Sequence, residues 1–250
     1  MHAALPAAML LPSPWSGTLV ATWGVANAVL TAALLHPRSQ LLGPTIWQGP
    51  HVPRIAVTFD DGPHPEDLPA ILDTLAASGE HGTRATFFFV ATRVIAQPEL
   101  ARRVVAAGHE VGAHGWKHPW WFSFAPRARL RQEVGGAARI IEDITGQPIR
   151  WYRPPMGHKN IALAEVAAEA GLRVVTWSAR AFDTRGGSAA RIRGALSAGL
   201  RPGAILLLHE GVRRRPAAMS PSVEALPGIL EDARAAGLEP VRLADLLPQD

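Results

Sequence analysis

The amino-acid sequence predicts an α/β fold: a distorted (β/α)7 barrel, one unit short of a TIM barrel, with an N-terminal transmembrane-like helix. Three observations predict it. Seven short apolar runs alternate with helical stretches after residue 53, an uncharged apolar segment precedes them, and 250 residues suit one large domain with an appendage. Strands that alternate with helices pair in parallel through right-handed crossovers, so a curved parallel sheet is expected.

The apolar segment covers residues 17–35 and contains no charged residue. A helix of that length rises about 28 Å, close to the hydrocarbon thickness of a bilayer. A signal peptide would need a positive n-region and a small-residue cleavage site, and neither is clear here. We therefore predict a membrane anchor and connector in residues 1–50 and a globular domain in residues 51–250.

The predicted strands are residues 55–59, 86–90, 110–113, 151–153, 173–177, 204–208 and 240–243. The helical stretches between them begin at a proline or a capping residue and end before a glycine, over residues 69–79, 98–108, 160–171, 188–199 and 227–237. In parallel barrels the chemistry lies at the C-terminal ends of the strands. Functional residues should therefore end strands or begin the loops that follow.

Composition excludes several classes of function. The chain has no cysteine, which excludes disulfides, thiolate metal sites and cysteine nucleophiles. The net charge is +4, which suits an anionic surface such as a membrane or a phosphorylated glycan. No basic stripe is interleaved with aromatic residues, so nucleic acid is not an expected partner.

Two polar clusters follow predicted strands. Asp60 and Asp61 come directly after the first strand, and adjacent carboxylates repel unless a cation or a proton offsets them. His114 and His118 follow the third strand, and histidines spaced i and i+4 can bind one metal ion. Because both clusters end strands, we predict that Asp61, His114 and His118 form a metal site. The same facial set of ligands also serves iron oxygenases, so the metal is not determined.

The sequence contains four ordered runs, TFDDGP at 58–63, HGWKH at 114–118, RPPMG at 153–157 and LLLHE at 206–210. These runs resemble the signatures of the polysaccharide deacetylase family, the NodB-homology domain of carbohydrate esterase family 4-like proteins. The resemblance extends over about residues 54–247. It implies a carbohydrate N-deacetylase, a hydrolase of carbon–nitrogen bonds other than peptide bonds, over residues 51–250.

The resemblance also implies roles for individual residues. Its cofactor would be a divalent metal ion, zinc first, with cobalt and manganese as alternatives. A metal-activated water would attack the amide, with Asp60 as the base and His209 as the acid that protonates the leaving amine. Arg153 would orient Asp60, and Asp183 would orient His209. The residues expected to contact substrate are Pro155, Met156, Leu207 and Trp116.

The chain departs from the family pattern around this core. The family usually has tyrosine where Met156 stands, and an Asp-x-x-Asp-Trp run where this chain has Arg180, Asp183 and Thr184. The altered rim of the pocket makes the substrate harder to infer. A run of arginines at 213–215 is either a solvated charge run or a contact for phosphate. Aromatic residues at 116 and 120–122 either stack on sugar or cover a loop or the membrane.

Three functional hypotheses remain. The first is removal of an N-acyl group, N-acetyl by preference, from an amino sugar in a glycan. The second is deacylation or deformylation of a lipid-linked amino sugar at the membrane, and the third is a non-catalytic carbohydrate-binding module. Arg38 and Arg54 after the apolar segment favour a cytoplasmic domain, whereas the family resemblance implies the cell envelope.

Overall fold

The computed structural model describes residues 16–212 and 219–248; the arginine run at 213–215 lies outside them. In chain order its strands are β1 Arg54–Gly62, β2 Thr86–Phe89, β3 Glu110–Ala113, β4 Trp151–Tyr152, β5 Arg173–Val174, β6 Ala179–Arg180, β7 Ile205–His209 and β8 Glu239–Val241. Its helices are α1 Ser16–Leu35, α2 Asp67–Ala77, α3 Ala91–Ala96, α4 Pro98–Ala106, α5 Arg127–Arg131, α6 Ala137–Thr145, α7 Leu163–Glu169, α8 Ala189–Ser197, α9 Pro221–Ala235 and α10 Leu243–Leu246.

The strands form one parallel sheet in the order β5-β4-β3-β2-β1-β7-β6, with β8 beside β1. Its two end strands, β5 and β6, are joined by residues 175–178 alone. Such a link spans at most about 18 Å, so the sheet must curl until its ends approach each other. The predicted α/β fold, a distorted barrel flanked by helices, is confirmed. The strand expected at 173–177 covers only Arg173–Val174, which pair with β4, and an additional short strand, Ala179–Arg180, follows it and pairs with β7.

The last predicted strand also differs from expectation. Residues Arg54–Ala56 of β1 pair with β8, whereas β2 pairs with β1 only from Thr58 onward. Ala56 pairs with both β8 and β7, so these two strands must lie on opposite edges of β1. Strand β8 therefore pairs with the part of the β1 edge that β2 leaves unpaired. It does not add a further strand to the circumference of the barrel.

Alternate residues of the strands face two different layers. Val57, Phe59 and Leu206 belong to the large apolar cluster under the helices. Ala56 and Ile205 belong to a smaller cluster inside the curled sheet. Because side chains alternate along a strand, the inward face of β1 continues through position 58 to position 60, and that of β7 through 207 to 209. The curl thus directs these positions into one interior space.

Two helix predictions need correction. Helix α9 begins at Pro221, and Pro227 lies inside it although it was expected to begin the helix. Proline is best tolerated in the first turn, where its missing N–H costs nothing, and Pro221 has that place. The helical segment α5–α6, joined by a π-helical turn Gln132–Gly136, was not predicted. Its signal was present, since Pro126 precedes it and Gly146 ends it in a left-handed conformation.

Helix α1 differs from the others because it is almost entirely exposed. Its segment Gly17–Leu35 is long and apolar enough to cross a membrane, and only 6% of it is buried. The C-terminal end is the exception: Ala33 is 3% exposed, and the N–H of Lys159 donates to the carbonyl of Leu34 at 2.7 Å. The connector continues this contact, because Ile46 pairs with Val175. The division into an anchor and a domain at residue 50 stays a prediction.

Candidate active site

A β-bulge at the end of β1 brings two adjacent carboxylates to one side. The pairing of β1 with β2 shifts register between Asp60 and Gly62, so Asp61 is an extra residue, with φ 68°. Adjacent side chains of a regular strand point to opposite faces, and a bulge re-aims one of them. Here Oδ2 of Asp60 lies 3.6 Å, and Oδ1 of Asp61 lies 3.9 Å, from Nε2 of His114.

Asp61, His114 and His118 form a cluster that could hold a metal ion. One ligand atom from each lies within 4.8 Å of the other two, and Oδ1 of Asp61 is 3.7 Å from Nε2 of His118. Four tetrahedral bonds of about 2.1 Å place ligand atoms about 3.4 Å apart. The three side chains therefore fit a divalent ion of zinc size after small adjustments. The predicted ligand set is brought together by the fold.

The protonation of this cluster suits metal binding. Nδ1 of His114 lies 2.7 Å from the carbonyl oxygen of Arg153, which only accepts, so Nδ1 donates there and Nε2 is turned toward Asp60 and Asp61. Burial lowers the pKa of His118 to about 4, which keeps its imidazole neutral. Burial alone would raise the pKa of Asp61, but the facing histidines outweigh it and lower that pKa.

Arg153 binds one carboxylate oxygen of Asp60. Its guanidinium is fully buried and donates through Nη1 to Oδ1 of Asp60 and to Oγ1 of Thr58, both at 2.7 Å. Nη2 donates to the carbonyl of Thr176 at 2.9 Å, and the guanidinium carbon lies 4.0 Å from the centre of the Phe88 ring. From the residues that the structure describes, Oδ2 of Asp60 accepts no hydrogen bond. One carboxylate oxygen is thus anchored, and the other faces the histidines.

Buried Asp183 and partly buried His209 form a second pair. Oδ1 of Asp183 accepts from Nδ1 of His209 at 2.8 Å, and Oδ2 accepts from the backbone N–H of His209 at 2.9 Å. Ser222 on α9 donates to the same Oδ2 at 2.6 Å. Burial alone would lower the pKa of His209, but the hydrogen bond and charge of Asp183 outweigh it and raise that pKa to about 9. His209 therefore carries a proton on both nitrogens at neutral pH.

Replacing Asp183 with asparagine should move the alkaline limb of the pH–activity profile to lower pH. In the native protein, activity that needs protonated His209 should fall as the pH rises through about 9. Without the carboxylate, the pKa of His209 should return to about 6.5 or lower, so activity at pH 8 should drop about thirtyfold. The check is kcat measured from pH 6 to pH 10. Ser222→Ala is the control, because it keeps the carboxylate and should move the limb little. A limb unchanged in Asp183→Asn would contradict the assignment.

A cleft of about 520 Å³ opens above these groups, and Asp61, His118, Asp183 and His209 line it. Of the predicted substrate contacts, Met156 and Leu207 line it too. Further lining residues are Leu35, Pro37, His158, Trp177, Arg180, Phe182, Thr184 and Arg185.

Backbone strain is concentrated at this cleft. Among the described residues, the non-glycine positions with positive φ are Asp61, His118, Met156 and Phe182. All four line the cleft. Such conformations cost about 1–3 kcal/mol each and persist where the surrounding fold enforces them, often at functional sites. The strain therefore marks the cleft independently of its polar groups.

Two predicted substrate contacts are not brought to the cleft. Trp116 lines a separate surface depression with Lys117 and Glu133, and it packs partly against the core. Pro155 is buried, near Gly115. Trp116 lies outside the cleft because the backbone of the loop after β3 faces the α5–α6 segment.

Glu133 is a positioning residue that the sequence analysis missed. It is 2% exposed, and its Oε2 accepts from the backbone N–H of Trp116 at 2.8 Å and of Lys117 at 3.1 Å. It thereby fixes the loop that carries the two histidines. A glutamate between Leu130 and Val134 on an otherwise apolar helix face was the available signal. The contribution of Leu35 and Pro37 to the cleft had no signal in the sequence.

Comparison with known proteins identifies the family of this chain. The family model for polysaccharide deacetylase matches residues 48–175. A chitooligosaccharide deacetylase of Bradyrhizobium sp. (strain ANU 289) is 41% identical over 63% of this chain and 70% of its own length. A peptidoglycan-N-acetylglucosamine deacetylase of Bacillus cereus is 32% identical over 86% of this chain and 98% of its own length.

A solved structure extends the comparison to the fold. It is a mutant, with restored enzymatic activity, of a CE4 family pseudoenzyme from Bacillus anthracis; the TM-score is 0.74 at 26% identity, covering 82% of this chain and 71% of that one. Since the native form of that neighbour is called a pseudoenzyme, the fold alone does not establish catalysis. Catalysis depends on which side chains line the cleft.

Fold, cleft and relatives together define a hydrolase of carbon–nitrogen bonds. The chain belongs to the polysaccharide deacetylase family.

Proposed function

We propose that this protein is a metal-dependent hydrolase that removes an N-acyl group, N-acetyl by preference, from an amino sugar in a glycan. The observation that carries the proposal is the pairing of Asp60 with His209 at the ends of neighbouring strands. A carboxylate and an imidazole thus lie on neighbouring strands beside the Asp61 cluster, which supports their proposed roles as base and acid. Two relatives are named as deacetylases of chitooligosaccharide and of peptidoglycan N-acetylglucosamine, and these names support removal of an N-acetyl group.

In this proposal Asp61, His114 and His118 hold a divalent ion, zinc by the preference of two imidazoles and a carboxylate, with cobalt and manganese as alternatives. When bound, the ion supplies Lewis-acid chemistry: it polarises the amide carbonyl and acidifies water. Oδ2 of Asp60 takes the proton of the attacking water, while Arg153 retains Oδ1.

The leaving group needs a proton, because an amide anion is too basic to depart. His209, held by Asp183, donates from Nε2 to the amine nitrogen as the carbon–nitrogen bond breaks. Water oxygen ends in the carboxylate product and the sugar keeps a free amine. Met156 and Leu207 line the space where the acyl group would lie.

The test is acyl release from defined substrates. Full-length protein with zinc is incubated with tri-N-acetylchitotriose, with peptidoglycan and with a lipid-linked N-acetylamino sugar, and mass spectrometry detects loss of an acetyl or formyl group. Release from any of them supports the proposal. Glycan binding without metal, together with no release from any substrate, would indicate a carbohydrate-binding module instead.

We also propose that α1 anchors the domain to a membrane, with the side of the membrane left open. Its exposed apolar surface and its span of Gly17–Leu35 support this placement. The anchor favours a second candidate function with the same chemistry, deacylation or deformylation of a lipid-linked amino sugar. Its specific support is that Leu35, the last residue of α1, and Pro37, just after the helix, line the cleft.

A further inference from the structure

The C-terminal end of α1 is a fixed wall of the active-site cleft. Besides the bond from Lys159 to Leu34, Oγ1 of Thr176 donates to the carbonyl of Pro37 at 3.0 Å, and Nη2 of Arg38 donates to the carbonyl of Ser178 at 2.5 Å. The helix is therefore docked beside the cleft and does not hang from a flexible tether. If α1 lies in a bilayer, the mouth of the cleft lies at the membrane surface.

Arginines line another side of the same cleft. Arg180 and Arg185 are exposed, and their guanidinium groups lie 3.9 Å and 5.3 Å from the centre of the Phe182 ring. Within residues 16–212 and 219–248 neither pairs with a carboxylate. Both arginines thus line the cleft without a carboxylate partner of their own from the described chain.

Some arginines elsewhere on the surface are neutralised by carboxylates. Arg131, Arg193 and Arg242 each pair with a carboxylate, at 2.8, 2.6 and 2.7 Å. Burial, with the positive charges of Arg185 and Arg38, lowers the pKa of Arg180. Arg38, Arg180 and Arg185 therefore place positive charge together on one side of the cleft, opposite in sign to a phosphate.

We propose that Arg180 and Arg185 bind the phosphate that links an amino sugar to a membrane lipid, so that the substrate is a lipid-linked sugar phosphate. The inference rests on the proposed deacylase function and names its substrate class. The sugar lies over Asp61 and His209, the phosphate meets the arginines, and the lipid chain leaves along α1 past Leu35, which is 49% exposed.

The chemistry of the groups supports this assignment. Guanidinium groups bind phosphate through paired, charge-assisted hydrogen bonds, and they stack on aromatic rings as these do on Phe182. A neutral glycan offers no group of matching charge. A soluble sugar phosphate would satisfy the arginines, but it would leave the apolar end of α1 without a contact. A lipid-linked sugar phosphate would contact both the arginines and the apolar end of α1.

The experiment compares three substrates with the full-length, zinc-loaded protein in phosphatidylcholine vesicles. They are tri-N-acetylchitotriose, N-acetylglucosamine 1-phosphate, and N-acetylglucosamine linked through phosphate to a polyprenol in the vesicles. We expect kcat/KM to be highest for the lipid-linked substrate. In the double variant Arg180→Gln, Arg185→Gln, the ratio of kcat/KM for the lipid-linked substrate to that for chitotriose should fall at least about tenfold, which corresponds to about 1.4 kcal/mol.

Arg103→Gln is the matched control, because Arg103 is exposed on α4 and away from the cleft. It should leave the ratio as in the native protein. If the double variant has the same ratio of kcat/KM values as the native protein, the proposed phosphate site is wrong. If the soluble and the lipid-linked sugar phosphates are turned over equally, the proposed role of the lipid is wrong. Turnover of chitotriose alone would overturn this inference and leave the deacylase function standing. Turnover of none of the three would overturn the function itself.

Discussion

Replacing Asp60 with asparagine should lower kcat/KM about a thousandfold or more while zinc binding persists. The side-chain amide of asparagine cannot take a proton from water as a carboxylate does. General-base catalysis contributes about 10²–10⁴-fold to the rate. The buried charge of Arg153 would lose its carboxylate partner, so the variant should also unfold at a lower temperature. Acetate release, zinc content and thermal unfolding are measured on the same preparation.

Asp73→Asn is the control for that variant, because Asp73 is an exposed carboxylate on α2. It should match the native protein in all three measurements. Persistence of activity in Asp60→Asn would remove the assigned base. Loss of zinc with activity would instead make Asp60 a ligand, contrary to its bond with Arg153.

Replacing His118 with asparagine should abolish activity by removing metal binding. Asparagine tolerates the left-handed backbone at this position, φ 55°, so the loop should keep its shape. The affinity for zinc should fall more than about 100-fold, since a direct ligand matters at least as much as its supporting groups. Zinc competition assays measure the affinity. Zinc should also raise the unfolding temperature of the native protein and not that of the variant.

His81→Asn controls for the loss of an imidazole, because His81 is exposed and outside the cleft. It should bind one zinc ion as tightly as the native protein. Equal zinc affinity in His118→Asn would show that the three-residue cluster is not the metal site. Activity that survives exhaustive chelation would contradict metal dependence altogether.

The sequence predicts the fold and the polar centre of the site because both follow local rules. Alternating strands and helices imply a parallel sheet, and the C-terminal ends of parallel strands meet at one edge. Asp60 lies in the last three residues of β1, His114 follows β3 and His209 ends β7, as that rule requires. The ends of the strands therefore bring together residues that are about 50 to 150 positions apart, although the part of His209 was predicted only from the family resemblance of its run.

What the sequence could not predict depends on tertiary contacts. The turn of Trp116 away from the cleft is set by Glu133, which lies on a helix that was not predicted. The approach of Leu35 to the cleft depends on the docking of α1 against the loop around Lys159. Neither contact leaves a periodic trace in the chain, because each joins residues from different elements at irregular spacing.

The bulge in β1 limits how this centre can be re-engineered. Deleting one of the two aspartates would restore even pairing with β2 and leave a single carboxylate on the histidine side. Lengthening Asp61 to glutamate would place an unfavoured residue in a left-handed conformation, at a cost of about 1–2 kcal/mol. Of the three proposed ligands, His114, whose backbone is not left-handed, is therefore the one at which we expect a substitution to disturb the backbone least.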